Sequence, residues 1–564
     1  MTGRWIAALA GAAVLAGCSD RGEPTSPEAR ALFSCVYGPP PLPEVGEVVQ
    51  VEGAAGGTLC LAGGEEGAEY VYVPFFAADD GEATLAVEVE GGAVSAPAGP
   101  PLPSLAAAEP LLPDRGGLRP DDLFHHRLRL REIRELGPLL AGAPLRRAPA
   151  RSRGAAPAPA VGELVTFSTS TDCDSVAPAV GRVEAVSRTA VVVADTSNPA
   201  GGFTRADWEA FATAMDTLVY PVDVLNFGEP TDVDGNGRVF LFFTRAVNEL
   251  TPPASGSYVG GFFWGGDLLP RGGAPGGLPA CPGGNSAEMF YLLVPDSAGE
   301  VNRNPRSADF VRRRTVGVVA HELQHLINAG RRIYVSRAGG FEEVWLNEAL
   351  SHAAEELMFY RTTGLAPRQN IGLEELRRSE HVARMFSAYA ADNFARFRTY
   401  LLEPDAESLL GIDELPTRGA AWAFLRYAAD HREGEDAALF RRLVDGPEAG
   451  LANLRSALGT DPLDLIQAWT VSVYTDDAVL AVPPAYRQPS WDFRSVMPVF
   501  AEAGGYPLRV VQLGPGEPRA VTLRGGGAAF VRFAVPPSRR AFVRTRAEGA
   551  RPDGRLRISV VRTR

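Results

Sequence analysis

A chain of 564 residues is too long for a single hydrophobic core, so its length implies three or four structural units. With 45% hydrophobic and 22% charged residues it reads as globular, neither fibrous nor wholly disordered, while 61 Gly and 46 Pro imply many turns and connecting stretches. A formal net charge of -13 argues against a general nucleic-acid binder, whose affinity for phosphate backbones rests on clustered positive charge.

The first element in the chain is an export signal: Arg4, an apolar run over residues 5–15, and the small-residue ending Leu15-Ala16-Gly17-Cys18. The run is too short to span a bilayer as a mature helix. Its ending resembles the bacterial lipoprotein box, which implies a signal peptide over residues 1–18, lipidation at Cys18 and anchoring in the bacterial cell envelope. Ser19, a non-acidic residue after Cys18, leans the expectation toward the outer membrane or cell surface. Four further cysteines, Cys35, Cys60, Cys173 and Cys281, are an even number in an oxidising compartment, where disulfides persist. Of the three connectivities, Cys35 with Cys60 closes a loop inside one small segment and Cys173 with Cys281 ties two loops of the central region, which favours that pairing. A thiol zinc site lacks any Cys-x-x-Cys spacing.

Short alternating runs at 47–51, 68–74 and 83–89, separated by Gly-rich turns, predict a small antiparallel β domain over residues 35–95. Residues 96–160 are rich in Pro, Ala and Arg and read as a linker, broken by one helical stretch at 121–136. His125 and His126 in that stretch are adjacent, diverge on any helix, and read as solvated. A central domain over 161–500 opens with strands at 163–168 and 190–194, a helix at 204–219 and a strand at 238–244. It continues in helices at 308–329, 341–363, 418–431 and 462–474. Strands first and helices after predict an α+β fold. Alternation returns at 509–512, 528–534 and 556–562, a C-terminal β module over 505–564. That module holds thirteen Arg against Glu517, Glu548 and Asp553, a balance of +10 that reads as solvated faces before a site for an anionic polymer.

Chemistry concentrates in Val318-Val319-Ala320-His321-Glu322-Leu323-Gln324-His325-Leu326-Ile327, an apolar helix broken by His, Glu and His. One helical turn puts both imidazoles on one face, able to bind one Zn²⁺, with Glu322 beside the open position as general base. A metzincin would need Gly and a third His where Asn328 and Arg331 stand. Further on comes Trp345-Leu346-Asn347-Glu348-Ala349-Leu350-Ser351, which resembles the second zinc-binding helix of gluzincin peptidases and implies Glu348 as third ligand. Glu342, Glu343, His352, Glu355 and Glu356 compete for that place. In the thermolysin branch an Asp at the position of His352 supports a zinc-bound His; with His352 there, Glu355 on the same face is the candidate support, beside Asn347.

The wider resemblance, over residues 195–474, is to hyicolysin-type secreted peptidases. It is carried by Phe227-Gly228-Glu229-Pro230-Thr231-Asp232-Val233-Asp234-Gly235-Asn236-Gly237, by Glu288-Met289-Phe290-Tyr291, and by the two zinc blocks. It implies a zincin-like catalytic domain between β-sandwich-like flanks. Asp232, Asp234 and Asn236, at alternating positions before Gly237, suit calcium, although Phe243 stands where an EF-hand has Glu; a tight turn is the other reading. No oxyanion donor carries over, since Pro416 stands where aminopeptidase gluzincins have Tyr; Tyr334, Tyr360, Tyr389, Tyr427 and His431 stay open.

The sequence thus predicts a monomeric zinc endopeptidase acting on extracellular proteins, membrane-attached through Cys18 and without nucleic-acid partners. An aminopeptidase, or a surface lipoprotein that binds without catalysis on a zincin-like scaffold, are the alternatives.

Overall fold

The computed structural model describes residues 42, 44–52, 58–93, 120–141, 157–273, 277–500, 504–547 and 553–564. Cys18 and Cys35 lie outside the described residues, and so does the lipidation reading. Among the described residues no helix is long and apolar enough to cross a membrane.

Four strands come first: β1 (Val48–Glu52), β2 (Thr58–Ala62), β3 (Ala68–Phe76) and β4 (Thr84–Ala93). Helix α1 (Pro120–Arg131) follows and runs on through Glu132–Leu136 and Gly137–Ala141. The central sheet holds β5 (Leu164–Ser168), β6 (Pro178–Val186), β7 (Ala190–Asp195), β8 (Val239–Phe243), β9 (Gly261–Phe262) and β10 (Met289–Leu292). Their order is β5-β6-β7-β8-β10-β9, parallel at β7/β8 and β8/β10 and antiparallel elsewhere. In β8 all five residues, Val-Phe-Leu-Phe-Phe, are buried, because both faces are covered: Trp208 and Phe211 of the helical segment before it pack on Phe243, and Phe167 of β5 packs on Phe240 and Phe242, so the usual in/out alternation is lost. Between β7 and β8 lie α2 (Arg205–Ala214), started by a Thr204/Asp207 capping box, and α3 (Tyr220–Phe227).

After the sheet the chain is helical: α4 (Ala308–Arg331), α5 (Val344–Thr363), α6 (Ala391–Leu402), α7 (Leu415–Asp430) and α8 (Pro462–Thr475). The class is α+β, as the sequence predicts. α4 has Ser307 as N-cap, accepting the Phe310 amide, and its second half is buried without interruption from Val319 to Gly330. A helix stretch buried on every side belongs in a core, and it carries His321, Glu322 and His325 out of bulk solvent.

The last strands are β11 (Val511–Gln512), β12 (Arg519–Arg524), β13 (Val531–Val535), β14 (Arg540–Ala547) and β15 (Leu556–Arg562). They do not form a module of their own, as the separate N- and C-terminal units of the sequence reading would have it. One sheet runs β1-β15-β3-β13-β11 and the other β12-β4-β14-β2, so strands from the two ends alternate in a single two-sheet body with a shared core. The C-terminal arginines meet acids brought by this interleaving: Arg544 pairs with Glu90 at 2.7 Å, Arg524 with Glu82 at 2.9 Å, and Arg557 with Asp464 of α8 at 2.6 Å.

Candidate metal centre

His321 and His325 stand one turn apart on α4 with their Nε2 atoms 3.1 Å from one another. Glu348, on α5, faces both: Oε2 lies 3.5 Å from Nε2 of His321 and Oε1 lies 3.4 Å from Nε2 of His325. These separations match the roughly 3.3 Å expected between ligand atoms of a tetrahedral ion with bonds of about 2.0–2.1 Å. Glu348 is 1% exposed, and neither of its oxygens has a hydrogen-bond partner. A buried carboxylate in that state is costly unless a cation satisfies it. Burial opposes its ionisation, yet Arg418 and His325 hold its carboxyl well below the usual range.

The outer ring nitrogens are tied down. Nδ1 of His321 is 3.0 Å from Glu355 Oε1, and Nδ1 of His325 is 3.1 Å from Asn347 Oδ1 and 3.0 Å from Ser351 Oγ. Ser351 donates its own proton to Gln324 Oε1, at 2.6 Å. With Nδ1–H donating outward, each Nε2 lone pair faces the Glu348 carboxylate. Glu355 thus stands where the sequence reading looked for support to a ligating histidine, and its second oxygen meets Nδ1 of His352 at 3.3 Å. Burial opposes ionisation of Glu355 too, but His352, His321 and Arg396 keep it strongly acidic. His321, His352 and Glu355 form a second group close enough to hold an ion. The first triad is the better candidate, because its carboxylate is the one left without donors.

Glu322 accepts the Phe263 amide at 2.8 Å, and burial pushes its carboxyl above the ordinary value against the pull of His321 and Arg129. A raised pKa suits a general base. Two buried guanidiniums flank the site, Arg129 with Nε 3.9 Å from Glu348 Oε1 and Arg418 with Nε 3.5 Å from Oε2. Arg129 is already paired with Glu132 at 2.7 Å and Arg418 with Asp413 at 2.8 Å. Against the effect of burial, Glu348, Glu355 and Glu322 make the site acidic enough to push the His321 imidazole up to about 9, and a divalent cation would meet the same charge in place of that proton.

Residues outside the zinc motifs complete the site. His125, read from the sequence as solvated, lines the cleft with His321 and Glu322, and Arg418 closes the same wall. The cleft holds about 450 Å³, with Gly260 and Gly261 on the sheet side. Of the five open oxyanion candidates only Tyr389 lines it. Tyr334, Tyr360 and Tyr427 donate their hydroxyls to Leu268 O, Glu356 Oε1 and Ala485 O, and His431 meets Arg487 O at its Nε2. Arg129, Glu132 and Arg418 carried no signal in the sequence beyond their charge.

Asp232 and Asp234 gather with Glu288, an acid from the approach to β10. Asn236 braces the same loop, donating Nδ2 to Asp234 Oδ2 at 2.6 Å and accepting the Arg238 amide at 2.6 Å. Glu288 accepts the Thr231 hydroxyl and the Val233 amide, and burial pushes its carboxyl up to about 7. The expected Cys173–Cys281 disulfide is present, joining the loop after β5 to the approach to β10, while Cys60 is also disulfide-bonded.

No family model matches the chain. Over 143 residues it is 30% identical to the neutral metalloprotease ShpI of Staphylococcus hyicus, a match that spans 25% of this chain and 29% of that protein. The chain is thus similar over a quarter of its length to a metalloprotease, and it carries His and Glu groups spaced to hold a metal ion.

Proposed function

We propose that the protein is a zinc-dependent endopeptidase of the hyicolysin type, with His321, His325 and Glu348 as metal ligands and Glu322 as general base. The observation that carries this reading is the convergence of Nε2, Nε2 and an unpartnered carboxylate at one point beside a glycine-lined cleft, with Glu322 next to it. When bound, zinc supplies Lewis acidity toward a peptide carbonyl and lowers the pKa of water. Glu322 takes the proton of the attacking water on the oxygen not engaged by the Phe263 amide and returns it to the departing amine. Glu355, Asn347 and Ser351 keep both imidazoles turned inward through the cycle. The export and lipidation signals ending at Cys18 make extracellular proteins the natural substrates and attach the enzyme to the cell envelope.

The test is metal analysis together with cleavage of a casein-like substrate by wild type and Glu322→Gln. We expect near-stoichiometric zinc in both proteins, inhibition of wild type by a chelator, and a loss of about 10²–10⁴-fold in turnover in the variant. Near-normal activity in Glu322→Gln, or zinc without any cleavage by wild type, overturns the reading; the second result favours a binding module.

A further inference from the structure

The segment that reads in the sequence as a spacer with one helix is docked against the candidate centre. Phe124 of α1 meets Phe262 of β9 edge to face, with ring centroids 5.2 Å apart. Arg129, 3% exposed, donates Nη1 to the Phe263 carbonyl at 3.4 Å and brings its Nε to 3.9 Å from Glu348. Glu132 accepts the Gly265 amide at 2.7 Å. Strand β9 is the outer strand of its sheet among the described residues, on the side of the cleft lined by Gly260 and Gly261. An edge of this kind offers N–H and C=O groups to which an extended peptide adds as a further strand. Just past β9, Arg129 and Glu132 occupy two of those groups, the Phe263 carbonyl and the Gly265 amide. The same guanidinium adds a second positive charge beside the Glu348 carboxylate, which Arg418 already approaches at 3.5 Å.

Several features agree with a helix built to leave. Its fully buried apolar side chains, among the described residues, are Leu128, Leu136 and Leu140; Phe124 is only partly buried, and Ile133 and Leu139 are exposed at 41% and 48%. Arg129 itself keeps Nε and Nη2 without hydrogen-bond partners although buried, an imperfect satisfaction unlike the paired ring nitrogens of His321 and His325. Few buried apolar contacts mark the low-stability parts of a fold, which open first.

We propose that residues 120–141 are an intramolecular inhibitor of the cleft, and that substrate binds only when this helix has moved off β9. The proposal rests on the peptidase reading, and its test separates the two. In the full-length protein, Arg129→Met with Glu132→Met removes the clasps on the Phe263 carbonyl and the Gly265 amide while keeping side-chain volume close to that of the native residues. Binding of a fluorescent peptide hydroxamate, amide hydrogen exchange over 120–141, zinc content and kcat/KM on an internally quenched peptide are then compared with wild type. If the open form is the minor one, the variant binds the probe about tenfold or more tightly, in proportion to the fraction opened. Exchange over 120–141 should quicken, kcat/KM should rise by the same factor, and zinc content should hold. Phe124→Ala, which loosens the contact with Phe262 and leaves the charges intact, should move all readouts the same way by less. Faster exchange with unchanged or weaker probe binding overturns the inhibitor and makes α1 a working wall of the site. Tighter probe binding with no turnover in any of the proteins retains the inhibitor and rejects the peptidase.

Discussion

Whether an imidazole binds a metal well depends on its far nitrogen as much as its near one, and here Glu355 has that role for His321. The Glu355 carboxylate accepts from Nδ1 of His321 and meets Nδ1 of His352, so removing it frees one candidate ligand to change tautomer and rotate. Glu355→Ala should lower zinc affinity about 10–100-fold, read by competition with a chromogenic chelator. Unchanged affinity would mean that the ring is held by packing alone. At this scale much was legible: His, Glu and His at i, i+1 and i+4 can be read from any helix, and Glu355 from the face it shares with Glu348. Arg129 and His125 were not, because nothing local says that a polar helix beside a Pro-rich stretch will lie against residues so far along the chain. Adjacent histidines on a helix do diverge, as expected; His125 took the cleft side.

Elements carry the next level. The buried run of β8 and the long apolar stretch of α4 announced themselves, whereas β6 escaped, since Pro178 and Gly181 look like breakers and only pairing with β5 and β7 makes the strand. The loop before β8 was read by its local spacing, Asp232, Asp234, Asn236. The third acid, Glu288, arrives through the parallel pairing of β8 with β10, which no local pattern shows. Its carboxyl titrates near 7, against about 4.5 in the unfolded chain. A raised folded value means that its contribution to stability is complete below the unfolded pKa and is lost as pH rises through about 7. In chelator-treated protein, wild type should therefore lose more thermal stability between pH 5 and 8 than Glu288→Gln, by a few kcal/mol on the order given by the shift. Equal losses would show that the shift is not expressed. If calcium restores wild type at pH 8 and not Asp234→Ala, the loop is a cation site; if it restores neither, it is a turn.

At the scale of the molecule the two chain ends form one body. β1 pairs only with β15, β2 only with β14, β3 with β15 and β13, and β4 with β12 and β14, so among the described residues no N-terminal strand has an N-terminal neighbour. Alternating apolar patterns at 47–89 and 509–562 revealed strands and their inward faces. They are silent on partners, because period-two patterning is the same whether a strand pairs with its sequence neighbour or with one from the other end. Isolated strands without a packed second sheet are unstable in water. Truncation after residue 504 should thus unfold residues 48–93 as well as remove 511–562. The central domain keeps its own sheet, its disulfide and most of its core, losing the part of that core supplied by Val71, Val73, Phe75, Ala528 and Phe530 together with contacts of α8 such as Gln467 to Ser559. Hydrogen exchange would read this directly: amides of β1–β4 should exchange at unprotected rates in the truncated protein while those of β7, β8 and α4 stay protected. Protection persisting in β3 and β4 would show that the N-terminal strands close on themselves, and that the interleaved pairing is not what holds them.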